Sequence, residues 1–281
     1  MDYLMIIASV MIFSCQFVMN DGYRREEGND LDAVLKYVLY SSITGFVILF
    51  LINKMHFEVT WFSLITAGVF SAVCMALSYS GLKALSYANL SVYSVFSMIG
   101  GMLLPFLYGL LCGEEFRLIR LVCCILIAVC VAMSVNQGKQ SKKAIKYYLA
   151  VFVLNGLVGV ISKFHQSQPA LCVDSGSFMI LTRVTAACFS LVWLLLKKDR
   201  TFSIKPKSML YCTAYSVLDS TGNLLLLIAL LSLPASVQYP IVTGGVIIVS
   251  TLISLFRRDK VTKRELVAAA IAFVATVFMA F

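Results

Sequence analysis

Ten apolar runs follow one another along the chain, at 3–19, 34–52, 60–82, 88–111, 118–135, 146–164, 176–196, 208–232, 235–256 and 265–281. Most approach the ~20 residues that a helix needs to cross about 30 Å of hydrocarbon. Polar clusters at 20–32, 136–146 and 197–207 punctuate them, and the joint at 233–234 is the shortest. The pattern predicts an all-α integral membrane protein with ten transmembrane helices. The runs take up 205 of 281 residues, so no soluble domain fits in the remainder. The first run has Asp2 and no Lys or Arg before it, which reads as a retained helix rather than a secretory signal.

Composition agrees with the pattern. Hydrophobic residues make up 60% of the chain and charged residues 13%, against roughly 25% charged in a soluble domain. The charge that remains is uneven, with 23 Lys+Arg and 14 Asp+Glu. Alternate loops sort it. The side holding the loops after the first, third, fifth, seventh and ninth runs carries 18 Lys/Arg, the other side carries four, and Arg183 lies inside the seventh run. The positive-inside rule places the basic loops in the cytoplasm and both termini outside. Nine cysteines show neither metal-ligand spacing nor a disulfide framework, and most fall in apolar runs as small hydrophobes.

Sliding the chain against itself by 145 residues, without gaps, superposes the first five runs on the last five. Ala84-Leu85 meets Ala229-Leu230, Ser91-Val92 meets Ser236-Val237, and Gly100 meets Gly245. The expected organisation is a first five-helix repeat at 1–135, a basic cytoplasmic linker at 136–145, and a second five-helix repeat at 146–281. Five is odd, so the second half enters the bilayer from the opposite side, which is the inverted repeat of many secondary transporters.

The stretch from Ala84 to Ser91, followed by Gly100-Gly101, Pro105 and Gly113-Glu114, resembles the fourth-helix region of the drug/metabolite transporter superfamily, in particular its EamA-type ten-helix branch. In the second copy Pro240 sits earlier, and Arg258-Asp259 stands in place of Gly-Glu. The resemblance implies a central cavity lined mainly by helices 1–4 and 6–9, with helices 5 and 10 in a packing role. It names no substrate. Many members keep both termini in the cytoplasm, whereas the loop charges here put them outside.

Ionisable residues inside a bilayer cost about 2.5–3.5 kcal/mol each on insertion scales and are functional candidates by default. Arg183 in the seventh run and Asp219 in the eighth are the clear cases. Tyr215, Asp219 and Asn223 are four residues apart and share a helical face. Their counterparts in the first half are Phe70, Cys74 and Ser78, so the charge belongs to the second half only. Three readings of the pair stay open: a structural salt bridge, a proton or cation site at Asp219, and a carboxylate or phosphate clamp at Arg183, whose planar fork suits such groups. Asn155, beside Gly156 and near Gly159, and Gln238 and Tyr239 at the start of the ninth run complete the candidate substrate-binding set. Lys163 reads as a snorkelling side chain and His165 as structural.

No nucleotide-binding loop, zinc motif or nucleophile elbow occurs, so no enzyme activity, cofactor, metal or nucleic-acid partner is expected. The expectation is a secondary transporter in the cytoplasmic membrane that moves a small polar or amphipathic metabolite by alternating access. Export is favoured over uptake; a proton or cation gradient as driving force and a homodimeric assembly are left open. A flippase for a lipid-linked substrate with the same fold is the main rival, and an integral-membrane lipid enzyme the weaker one.

Overall fold

A computed structural model describes residues 2–87, 90–111, 122, 126, 142–197, 202–229, 235–257 and 263–279. Among them are nine long helices and no strand: α1 (Asp2–Glu27), α2 (Leu31–Ile52), α3 (Trp61–Leu85), α4 (Leu90–Leu111), α5 (Lys142–Gln166), α6 (Ser175–Leu196), α7 (Pro206–Ala229), α8 (Ala235–Phe256) and α9 (Lys263–Met279). The fifth apolar run, most of the 136–145 linker and the joint at 233–234 lie outside the described residues.

Among the described residues, five helices are long and apolar enough to cross a membrane: α1, α2, α3, α5 and α6. Large apolar side chains lie exposed on the outside, and the interior, mostly apolar, also holds many hydroxyl groups. Trp61, Ile65, Leu196, Leu210 and Phe256 are exposed, whereas Ser9, Ser14, Ser71, Ser94, Ser216 and Ser250 are buried. Water would penalise that much exposed apolar area; hydrocarbon would not.

Helix ends follow local chemistry. Asp30 caps α2 by accepting from the Ala33 N–H at 3.3 Å. Thr60 caps α3 through the Ser63 N–H at 3.2 Å, and Asp174 caps α6 through Gly176 and Ser177. Burial pushes the Asp174 carboxyl up, but hydrogen bonds from Ser177 and Gly176 outweigh it and hold the group below its ordinary value. Pro206 opens α7, a position where its missing N–H costs nothing. After α1 the chain turns at Gly28, whose φ of +95° suits glycine, with its N–H returning to the Arg24 carbonyl at 2.9 Å.

Packing runs mainly between the two halves. Shifted by 145 residues, Leu90–Leu111 falls on the bounds of α8, and α2 and α3 fall within one residue of those of α6 and α7. The packed pairs exchange under the same shift. The α1–α7 contact becomes α5–α3, α4–α5 becomes α8–α1, α2–α7 becomes α6–α3, and α2–α6 and α4–α8 map onto themselves. Helices α4 and α5 approach one another closely. A Cβ at Gly100 would collide with the Phe152 carbonyl, and one at Gly156 would lie 2.7 Å from the Gly100 oxygen. The glycines there let two helix backbones touch. Outside this set, α9 packs on α8 through Ala269 and Ala275 beside Ile247.

Candidate functional site

The helices enclose a cavity of about 580 Å³, within the usual range for small-molecule sites. Both halves build its wall from equivalent positions. Phe70, Cys74 and Ser78 of α3 line it, and so do their counterparts Tyr215, Asp219 and Asn223 of α7. The same holds for Phe13 and Val158, Phe17 and Ser162, Tyr37 and Thr182, Val38 and Arg183, and Met98 and Thr243. No residue of α9 lines it among the described residues.

The charge sits on one side of this wall. Arg183 of α6 donates from Nη2 to Oδ2 of Asp219 on α7. Asp219 Oδ1 accepts from Gln16 Nε2 of α1 at 2.9 Å and from Asn223 Nδ2 at 3.2 Å. Three helices thus meet at one carboxylate. Arg183 reaches it by lying along α2 at Gly45, where a Cβ would stand 3.1 Å from its Cδ and Nε. The side chains of Arg183 and Asp219 keep 18% and 12% of their surface open, on the cavity side. Removing one member of such a pair strands the other charge, at a cost of about 3–5 kcal/mol.

The two ends of the cavity differ. At one end Gln166 and Ser175 line it and are exposed. At the other the lining residues Tyr37, Leu82, Leu85 and Tyr93 are buried. Beyond them lies a belt of ties at the basic end. Tyr37 donates to Asn20 and packs between Tyr23 and Tyr215, with ring centroids 4.8 and 5.1 Å away. Buried Asp21 gathers three guanidinium groups, from Arg24 at 2.7 Å, Arg25 at 3.0 Å and Arg257 at 2.5 Å, the last crossing from α1 to the end of α8. Lys36 donates to the Ser203 carbonyl at 3.1 Å and Tyr40 to that of Phe202 at 2.6 Å. Gly22 lets α1 close on α7, since a Cβ there would lie 2.5 Å from the Tyr211 ring.

Of the residues expected from sequence, Arg183, Asp219, Tyr215, Asn223 and Asn155 all line the cavity. Asn155 also donates to the Ser97 carbonyl of α4 at 2.5 Å, so it holds the wall while facing the cavity. Gln238 and Tyr239 fall early in α8, and their side chains lie outside the described residues. His165 is buried, 2.9 Å from the Ser63 hydroxyl, and stacks on Phe178 with centroids 3.8 Å apart. Lys163 and His165 also line the open end of the cavity, beyond the packing roles expected of them. Gln16, Asn20 and Tyr37 are further wall residues, uncharged and therefore not conspicuous in the sequence. Phe13, Gln16, Phe17 and Asn20 recur at helical spacing, and that mixed stripe in α1 was the available signal. Among the described residues no cluster of His, Cys, Asp or Glu could hold a metal.

No protein-family model and no curated protein matches the sequence. Among solved structures, one called only "Crystal structure of protein" is similar over 99% of this chain and 96% of its own, with a TM-score of 0.63 and 13% sequence identity. At that identity the likeness is one of fold: this arrangement of helices is also that of a protein solved by crystallography.

Proposed function

We propose that the chain is a secondary transporter of the EamA type, with ten membrane-spanning helices in two inverted five-helix repeats. It moves a small polar or amphipathic metabolite across the cytoplasmic membrane by alternating access, with export favoured. The observation that carries this reading is the cavity wall, which is built from positions 145 residues apart, with exposed lining residues Gln166 and Ser175 at one end and buried Tyr37, Leu82 and Tyr93 at the other. Two similar halves of opposite orientation have two equivalent ways to pack, each closing a different end of a shared cavity. With the basic loops in the cytoplasm, this conformation faces outward and is held by the Asp21 and Tyr37 ties.

Flux tests it. In proteoliposomes, radiolabelled members of a broad metabolite panel should include at least one that crosses saturably, and Arg183→Gln should lower that flux at least ~100-fold, the scale of a lost charge-assisted contact of about 3 kcal/mol. Absence of flux for the whole panel, with and without a proton or sodium gradient, contradicts the reading. The same vesicles carrying a fluorescent lipid address the flippase alternative.

A further inference from the structure

The charge pair in the wall is uneven in what it has left to offer. A carboxylate has about four acceptor positions and a guanidinium five N–H donors. Asp219 has both oxygens engaged, Oδ1 by Gln16 and Asn223 and Oδ2 by Arg183. Arg183 makes one hydrogen bond among the described residues, to Asp219, and its Nε is buried without a partner. With three of about four acceptor positions taken and one of five donors used, the remaining capacity at the pair is mostly donor capacity. The rest of the wall leans the same way, since Asp219 is its only acidic residue among the described ones, while Arg183 and, towards the open end, Lys163 are basic. The same cavity wall includes Phe13, Phe17, Phe70, Leu77 and Met98, which give the site an apolar body.

From this we infer that the cavity takes an organic anion, a carboxylate or phosphate monoester on an apolar or aromatic body, and rejects the cation of the same shape. The acidic head sits against Arg183 and the body against the phenylalanines of α1 and α3. An ammonium group would find the one carboxylate already engaged by three donors, and beside it a guanidinium whose unused N–H groups offer it no acceptor and whose like charge opposes it in a low-dielectric wall. Asp219 competes with the bound anion for Arg183 and moderates its field. Arg183 and Gly45 act together, because the glycine leaves the space in which the guanidinium lies. The inference deepens the transport reading and rests on it for the role of the cavity, but its binding chemistry can be tested apart from flux.

The probes are phenylacetate, phenyl phosphate and 2-phenylethylammonium, titrated against the purified full-length protein in detergent with binding read from thermal unfolding. For the wild type, one of the two anions binds at least about tenfold more tightly than the ammonium, and whichever anion is tighter identifies the head group. Arg183→Gln brings the ratio to about one. Asp219→Asn keeps or raises anion affinity, because the competing carboxylate charge is gone; a merely structural role for Asp219 would lower affinity for every probe alike. A wild type that prefers the ammonium, binds all three equally or binds none overturns the inference, and that comparison needs no variant to fold. Anion binding without flux of any solute in vesicles defeats the transport reading and leaves the anion site standing. Flux of a cationic solute together with ammonium preference defeats the anion site and leaves transport standing.

Discussion

The face of α3 that carries Phe70, Cys74 and Ser78 and the face of α7 that carries Tyr215, Asp219 and Asn223 occupy equivalent places in the two halves, and both line the cavity. One is neutral and the other holds the buried charge. Similarly, Val38 of α2 stands where Arg183 stands in α6. Repetition supplies the shape of the site, and departure from repetition supplies its chemistry. The glycine pair teaches the same lesson about packing. Gly100 and Gly245 are equivalent, but a Cβ at Gly100 meets the backbone carbonyl of Phe152, whereas one at Gly245 meets the methyl groups of Val10 at 2.9 Å.

Removing the charge from one half should separate the two faces most strongly. Asp219→Leu leaves Arg183 unpaired in the wall and should destabilise the protein by about 3–5 kcal/mol, whereas the nearly volume-conserving Cys74→Val at the equivalent place should cost less than about 1.5 kcal/mol; thermal unfolding in detergent compares them. Equal losses would mean that the pair is no more than packing. Next in size is the glycine contrast. Gly100→Ala forces α4 from α5 and should cost about 1–3 kcal/mol, with Gly245→Ala costing clearly less because side chains yield where backbone does not. A reversed order would contradict the packing described for α4. At the closed end, Asp21→Asn leaves three guanidinium groups without their shared anion. It should raise the reactivity of a cysteine placed at Leu82 by about tenfold, the size of a change of roughly 1.4 kcal/mol in opening. The smallest effect is at the α6 cap, where Asp174→Ala should cost about 1 kcal/mol. Because hydrogen bonds hold that carboxyl below its ordinary value, its contribution is present above the unfolded-state value and is lost as pH falls through the folded-state one.

Much of this architecture is legible in the chain. The ninth apolar run, 235–256, coincides with α8, and the third and seventh runs differ from α3 and α6 by at most three residues. The first run is the exception. Apolarity stops at residue 19, yet α1 continues to Glu27, because a helix does not end where hydrocarbon ends. Asp21 is satisfied by three arginines, and the buried Tyr23 donates to the Ala33 carbonyl at 2.6 Å. The pairing of Arg183 with Asp219 could be suspected from their being the two ionisable residues well inside the runs. That Gln16 would join them could not, since a single amide in α1 reveals its partner only when α1 and α7 are brought together across more than 200 residues of sequence. The belt of ties at the basic end was hidden for a related reason. Its members look in sequence like the orientation charges of any cytoplasmic loop, and only the fold assigns Arg257 to Asp21.

The central claim is that one cavity serves two sides in turn. In a cysteine-free background, single cysteines at Met179, towards the open end, and Leu82, at the closed end, can be labelled by impermeant reagents from opposite sides of oriented vesicles while a transported solute is titrated in. Alternating access predicts reciprocity, with Leu82→Cys becoming more reactive from the basic side as Met179→Cys becomes less reactive from the other. Reactivities that rise together, or a Leu82→Cys that stays unreachable from the basic side while solute crosses, would contradict it.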